Sequence, residues 1–344
     1  MRVLIIGGTN FIGPHVVAAL HRLGAEITVY HRGLHEPRLP PAVRHVHSGR
    51  ATLPFLHFPS ELSQPAPDVV LLMFPVGGDD ARAAVARFAG TAGRIVAISS
   101  GDVYRAYGRL LGSEPGPPEP VPLTENAALR EIFFPYRGGA AGPSDWTYHY
   151  EKILVERAVL ANPALPGTVL RLPAVYGPGD PYHRLRPYIK RMKDNRRAIL
   201  LDEMQASWRW SHGYVENAAE AIALAVVDQR AAGQTYNVGE DEAPTLAERV
   251  RRIGELAGWK GTILALPTER VPAHLRTPYE PHQDLVMDTR RLRNELGFIE
   301  AVSKDDGIRR TIEWEATIPA EPGDPGTAEY AAEDAVLATM GSSV

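Results

Sequence analysis

The chain has 344 residues and a formal net charge of −4. That length suits about two domains, and the near-neutral balance offers no chain-wide basic field for nucleic acid. The absence of cysteine excludes disulfides, thiolate zinc sites and a thiol nucleophile. No apolar run reaches the roughly 18 residues of a membrane-spanning helix, and MRVLIIGG has too few apolar residues before its glycines for a secretory leader. The expectation is a cytoplasmic protein without nucleic-acid or membrane partners.

Taken in chain order, short β-branched runs occur at Val3–Ile6, Ile27–Tyr30, Val43–His47, Val69–Met73 and Ile95–Ser99. Helical periodicity is clearest over 12–23 and 79–91. Strands that are apolar throughout and alternate with helices predict a parallel sheet covered on both faces. The segment 51–67 is proline-rich and gives a poor helix signal. Residues 105–145 read as a long irregular insertion, with five prolines between Pro115 and Pro122, of the kind that often forms a lid. A helix is predicted from about Trp146 to Ala161, then a strand over Gly167–Leu172. Beyond 173, helical patterns recur at 215–228, 245–257, 288–296 and 304–315, and short strands fit 198–201, 234–238 and 262–265. Arg184, Arg186, Lys190, Arg191, Lys193, Arg196 and Arg197 crowd one stretch. They suit a solvated helix face or, alternatively, an anion site for substrate phosphates. The tail 316–344 holds five acids and no base, and carries a candidate helix near 327–339.

The first chemical motif is Ile5-Ile6-Gly7-Gly8-Thr9-Asn10-Phe11-Ile12-Gly13, between the first strand and the first helix. This is the context of a dinucleotide-binding turn, with pyrophosphate at the helix N-terminus. Gly7 permits the tight turn, Gly13 the close packing of helix and strand. Asn10 replaces the middle glycine but tolerates the left-handed region. The second strand ends in His31-Arg32-Gly33, without the acid that usually holds an unphosphorylated ribose. Arg32, helped by His31, suits a 2′-phosphate, so NADP is expected in preference to NAD.

The second motif is Tyr148-His149-Tyr150-Glu151-Lys152. Tyr148 and Lys152 stand four residues apart, which places both side chains on one face of a helix, one turn apart. An ammonium there would stabilise a phenolate. Moving a phenol from a pKa near 10 to about 7 takes roughly 4 kcal/mol. Such a phenol could move a proton to or from a carbinol while hydride moves elsewhere. Ser99 and Ser100 lie at the C-terminal end of the fifth strand, the edge where open parallel sheets bind ligands.

Together with Ser99-Ser100-Gly101-Asp102-Val103-Tyr104, Arg171-Leu172-Pro173-Ala174-Val175-Tyr176-Gly177-Pro178-Gly179 and Tyr214-Val215-Glu216-Asn217-Ala218-Ala219-Glu220-Ala221, these motifs resemble the extended short-chain dehydrogenase/reductases, the NAD-dependent epimerase/dehydratase family, over about residues 1–315. The resemblance implies an α/β fold: a Rossmann-type doubly wound parallel sheet with a smaller α/β C-terminal substrate domain. It implies a dinucleotide-binding domain over 1–172, to which the strand at 234–238 returns, a substrate domain over 173–315 and an acidic tail over 316–344. By motif position it implies catalysis by Ser100, Tyr148 and Lys152. It implies cofactor contacts from Gly7, Thr9, Asn10, Phe11, Ile12, Gly13, His31, Arg32, Phe74, Ser99, Tyr148, Lys152, Pro173 and Val175. Substrate contacts fall to Asp102, Arg137, Ala174, His183, Arg184, Arg209 and His212. Helices near 79–91 and 147–161 would pair two copies into a homodimer.

Some positions depart from the family. Gly101-Asp102 lacks the acid pair of the 4,6-dehydratases. Ala174 stands where asparagine often holds a diphosphate, and Trp210 where arginine is common. No acid follows the third strand in Ser48-Gly49-Arg50, and Phe74-Pro75 replaces the usual alanines. His31, His35, His45, His47 and His57 cluster in sequence without an acid at ligand spacing, so no metal site is expected. Trp208 and Trp210 suit core packing, and Glu125 and Glu151 show no partner for a two-carboxylate mechanism. The leading expectation is epimerisation of a sugar or nucleotide-sugar hydroxyl by transient oxidation. NADPH-dependent carbonyl reduction of a non-nucleotide substrate is the alternative, and a non-catalytic dinucleotide-binding protein the third reading.

Overall fold

A computed structural model describes residues 1–49, 53–277, 279 and 282–341. Arg50, the first residues of the 51–67 segment and the last three of the tail lie outside the described residues. The apolar runs form β1 (Arg2–Ile6), β2 (Glu26–His31), β3 (Arg44–His47), β4 (Val69–Leu72), β5 (Arg94–Ser100) and β6 (Gly167–Leu172). Five short strands follow: β7 (Ala174–Tyr176), β8 (Ala198–Asp202), β9 (His212–Tyr214), β10 (Thr235–Asn237) and β11 (Thr262–Leu266). One seven-stranded sheet has the order β10-β6-β5-β4-β1-β2-β3, and every pairing is parallel. As expected, β10 rejoins this sheet, Thr235 opposite Val169. Two smaller parallel pairs, β8 with β11 and β7 with β9, build the C-terminal part.

The helices are α1 (Ile12–Arg22), α2 (Gly78–Phe88), α3 (Arg105–Leu110), α4 (Trp146–His149), α5 (Lys152–Leu160), α6 (Arg186–Lys193), α7 (Glu203–Ser207), α8 (Val215–Val227), α9 (Leu246–Leu256), α10 (Arg290–Leu296), α11 (Lys304–Thr317) and α12 (Thr327–Gly341). Val16, Val17 and Leu20 of α1 and Ile222 of α8 are buried in a core on one face of the sheet. On the other face Ala81, Ala84 and Phe88 of α2 pack with Val155 and Val159 of α5. Each large side chain removed from water contributes about 1.5–3 kcal/mol. That is why an all-parallel sheet, apolar on both faces, needs both layers.

The predicted single helix over 146–161 is in fact two. The chain leaves helical geometry at Tyr150 (φ −66°, ψ 116°) and Glu151 (φ −157°, ψ 97°). The Glu151 amide donates to the carbonyl of Val76 at 2.9 Å. Its carboxylate receives Ile153 N–H at 2.9 Å, Phe134 N–H at 2.6 Å and Arg130 Nη2 at 3.1 Å. A helix would have used that amide internally, so the β4–α2 turn and the buried arginine outweigh helix propensity. Gly77 makes room, because a Cβ there would lie 2.5 Å from the His149 carbonyl oxygen. The insertion 105–145 contains α3 and is irregular elsewhere, but it is anchored: Arg130 and Glu151 form an ion pair with side-chain exposures of 1% and 0%.

A second buried ion pair ties the sheet to α5. Arg171 on β6 donates from Nη2 to Glu156 at 2.7 Å and from Nη1 to the Tyr104 hydroxyl at 3.0 Å, while Ser99 Oγ donates to Glu156 at 2.6 Å. Removing one partner strands a buried charge. Glu156→Ala is expected to cost about 3–5 kcal/mol of unfolding free energy, read from urea denaturation.

Candidate active site

The glycine-rich turn follows β1. Gly7 and Gly8 have φ of 85° and 78°, a region open chiefly to glycine. A Cβ on Gly13 would stand 2.2 Å from the carbonyl oxygen of Gly8, so α1 meets the turn where only hydrogen fits. Phe11 offers no side-chain cap to α1, and no acid lies in its first turn. Asn10 receives the Phe11 amide on its own side-chain oxygen at 3.0 Å. Thr9 and Ile12 flank it, half-buried. Uncapped N–H groups with a positive helix end fit a pyrophosphate.

At the end of β2, His31 is buried and its Nε2 lies 3.0 Å from His45 Nδ1. The Gly33 amide donates to His31 Nδ1 at 3.2 Å, which leaves the ring hydrogen on Nε2. Contrary to the sequence expectation, an acid does join this cluster. Glu36 bonds His47 Nε2 at 2.7 Å, and ligand atoms of His31, Glu36 and His45 lie within 4.8 Å of one another. Sequence spacing missed it because the β2–β3 loop folds back over β3. The lone pairs on His31 Nδ1 and His45 Nδ1 are already engaged in hydrogen bonds, so the geometry is that of a hydrogen-bonded group. Arg32 follows directly on β2.

Ser100 ends β5, half-buried, and its Oγ receives the Asp102 amide at 3.2 Å. Lys152 opens α5 with 3% of its surface exposed. Its Nζ donates to the carbonyls of Pro75 at 2.6 Å and Ile98 at 3.1 Å and lies 5.3 Å from the ring centres of Phe74 and Tyr150. An ammonium has three N–H groups, so one remains for a ligand or a phenol. Burial pulls its pKa down to about 8. Ser99 turns the other way, toward Glu156.

The tyrosine facing this pair is Tyr150. Its hydroxyl donates to Asp102 Oδ2 at 2.9 Å. Burial, then the Asp102 charge, raises its pKa well above that of a free phenol. The helix break turns Tyr148 elsewhere: its ring lies under the Arg137 guanidinium at 4.6 Å and beside His149 at 5.2 Å. Arg137 Nε also donates to the Tyr148 carbonyl at 3.0 Å. Among the described residues the Tyr148 hydroxyl has no hydrogen-bond partner. Tyr148 and Lys152 therefore do not share the helix that their spacing suggests. Two tyrosines lie within four residues before Lys152, and only the unforeseen break decides which one faces it.

The expected substrate-side residues are less convergent. Asp102 is at the centre of the site and buried. Ala174 and Val175 are buried on β7, Ala174 opposite His212 on β9, with Pro173 half-buried before them. His212 is enclosed; its Nδ1 donates to the Trp210 carbonyl at 2.7 Å, and burial, then the Arg249 charge, pushes its pKa well below the usual value. His183 is engaged with Glu315 at 3.0 Å and stacks on Trp314 at 5.1 Å, and Arg184 pairs with Asp180. Arg209 is exposed. The basic stretch carries its own counter-charges: Arg186 meets Glu315 and Asp324, Arg191 meets Glu333, and Arg196 meets Asp334. This satisfies the cations proposed above for substrate phosphates with acids from α11 and the tail.

The profile of the NAD dependent epimerase/dehydratase family matches residues 86–239, which contain Ser100, Tyr150 and Lys152. A UDP-N-acetyl-alpha-D-glucosaminuronate decarboxylase of Bacillus cytotoxicus is 26% identical over 51% of this chain and 55% of its own length. A 2′-dehydrokanamycin reductase of Streptomyces kanamyceticus is 26% identical over 78% of this chain and 70% of its own. The chain spans about half the length of the first curated relatives it matches. Among solved structures, MoeE5 in complex with UDP-glucose and NAD superposes with a TM-score of 0.63 at 19% identity, covering 92% of this chain and 99% of that one. That likeness confirms the Rossmann-type fold. No helix among the described residues is long and apolar enough to cross a membrane.

Two measurements check this geometry. Gly13→Ala is expected to lose about 1–3 kcal/mol of stability, seen as an earlier urea midpoint. For Lys152, the native ammonium deprotonates near pH 8 and the unfolded one near 10.5. The native state then binds fewer protons between those values, so this group makes stability rise with pH there. Urea midpoints at about pH 7 and about pH 10 should show wild type gaining on Lys152→Met as pH increases.

Proposed function

We propose that this protein is an NAD(P)-dependent enzyme of the epimerase/dehydratase family that acts on a secondary alcohol or its ketone. The reading that fits best is epimerisation of a sugar or nucleotide-sugar hydroxyl by transient oxidation. The observation that carries it is the convergence, at the carboxyl edge of one parallel sheet, of the uncapped glycine-rich helix start with Ser100 and Lys152. Gly7, Asn10, Ile12 and Gly13 would hold the pyrophosphate, and Lys152, Phe74 and Val175 would flank the nicotinamide end. Bound there, the nucleotide supplies hydride acceptance and return.

The chain's own groups handle the proton and the orientation. Ser100 holds the reacting oxygen, and a tyrosine phenol, Tyr148 by motif spacing, exchanges its proton. The Lys152 charge stabilises the oxyanion side of that exchange. Arg32 at the end of β2 supports a preference for NADP, through a 2′-phosphate partner; the buried His31, its two ring nitrogens engaged by His45 and Gly33, does not share that role. NADPH-dependent carbonyl reduction is the second reading, favoured by the reductase relative, whose match extends over most of both chains.

The deciding experiment denatures freshly purified protein and quantifies any released nucleotide by mass spectrometry. Near-stoichiometric NADP+ or NAD+ is expected for the epimerase, because internal redox retains its cofactor, and its identity tests the role of Arg32. An empty protein that binds NADPH in the micromolar range supports the reductase instead. No binding of either nucleotide would overturn both.

A further inference from the structure

Arg137 stands in the insertion, and the residues around it are tied to the site. Tyr136 donates to Asp102 Oδ2 at 3.0 Å, and the Asp102 amide donates to Ser100 Oγ at 3.2 Å. Phe134 donates its amide to the Glu151 carboxylate at 2.6 Å, next to Lys152. Phe134 has a φ of 60°, a conformation that bulky residues rarely adopt. The Arg137 amide donates to the Phe134 carbonyl at 3.1 Å and closes the turn. The Arg137 guanidinium then lies over the Phe134 ring at 3.5 Å and over the Tyr148 ring at 4.6 Å, and its Nε donates to the Tyr148 carbonyl at 3.0 Å.

Arginines elsewhere around the site bring their own acids. Arg130 meets Glu151, Arg171 meets Glu156, Arg184 meets Asp180, and Arg186 meets Glu315 and Asp324. Arg137 is half-buried, yet among the described residues no carboxylate pairs with it and its Nη1 and Nη2 make no hydrogen bond. Resting on the reading above, we propose that Arg137 receives a carboxylate of the substrate on its Nη1–Nη2 edge. The substrate is then a sugar acid, which carries that carboxylate on the ring that is oxidised.

The Tyr148 carbonyl and the two rings fix the guanidinium before any ligand arrives, and a fixed group loses little freedom on binding. With Nε engaged, the free edge presents parallel N–H groups that match the two oxygens of a carboxylate. A phosphate could use the same fork. Its remaining oxygens, however, stand out of the plane, toward ring faces whose π-clouds are negative. A flat carboxylate keeps both oxygens in the plane. The aromatic surroundings also hold water back, which strengthens the pair relative to an exposed one. Position decides where on the substrate the charge lies. Tyr148 is the phenol that exchanges the proton in the reading above, and its ring lies against this guanidinium. An anion on Arg137 therefore belongs to the sugar ring that bears the reacting carbinol, which is where a uronate carries its carboxylate.

The test uses the full chain with NADH or NADPH bound. Its probes are two pairs that differ only in carboxylate against hydroxymethyl: UDP-glucuronate with UDP-glucose, and methyl glucuronide with methyl glucoside. Calorimetry should show tighter binding of the acid, by about tenfold or more, in at least one pair. Arg137→Gln should remove that preference and leave the neutral sugar within about twofold. Arg137→Lys should keep part of it, because an ammonium supplies the charge without the fork. Where the acid is turned over, Arg137→Gln should raise KM more than it lowers kcat. NADH and NADPH affinities, from quenching of tryptophan fluorescence, should stay within about twofold in both variants, which checks that the nucleotide site is intact. No preference for the acid in either pair, or a preference that Arg137→Gln leaves in place, would overturn the proposal. Equal weakening of UDP-glucuronate and UDP-glucose by Arg137→Gln would assign the guanidinium to the diphosphate and overturn the carboxylate. Wild type that binds neither nucleotide would instead overturn the underlying reading of the site.

Discussion

The arrangement of this site depends on a buried ion pair, Arg171 with Glu156. It joins three parts that have no reason to coincide otherwise. Arg171 belongs to β6, Glu156 to α5, and both bond side chains from the Ser99–Tyr104 stretch. Tyr104 in turn donates to Asn237 on β10, which donates to the carbonyls of Leu123 and Asp288. A buried charge pair gains little over an apolar contact of equal volume, but its geometry is exacting. Here the exacting geometry fixes α5 against the β5 end, and thereby Lys152 against Ser100.

A second buried pair does for the insertion what the first does for the sheet. Arg130 brings the irregular segment to Glu151, at the point where the helix breaks. Tyr136 then reaches Asp102, and Tyr107 hydrogen-bonds to Tyr136 behind it. A segment with many prolines and little regular structure is therefore a wall of the site, fixed by charge more than by apolar area.

The sheet was legible because its signals are local and redundant. Val3–Ile6 and Ile95–Ser99 are apolar throughout, and Gly7 and Gly13 sit where a strand must turn into a helix. Ser100 could be placed for the same reason, at a strand end that periodicity marks, whereas Lys152 was picked out by its spacing from Tyr148 within a helix predicted to be unbroken. The choice between Tyr148 and Tyr150 was not legible. It turns on the amide of Glu151 meeting the carbonyl of Val76, a contact between residues 75 positions apart. Gly77 was its only trace in the sequence. The same holds for Glu36, whose approach to His45 and His47 depends on how the loop after β2 folds. The basic stretch at 184–197 was visible, but its partners, Glu315, Asp324, Glu333 and Asp334, lie more than a hundred residues on.

That last separation bears on how the protein is made. Arg186 and Arg191 are nearly enclosed, and their acid partners arrive only with α11, the segment after it and α12. During synthesis the seven-stranded sheet lacks only β10 once β6 has emerged, and β10 follows before residue 240. The C-terminal part has no such early completion. Until residue 333 leaves the ribosome, Arg191 faces its pocket without Glu333. The C-terminal part therefore gains its full set of buried ion pairs only after residue 333 has been made, when all seven strands of the parallel sheet have already been synthesised.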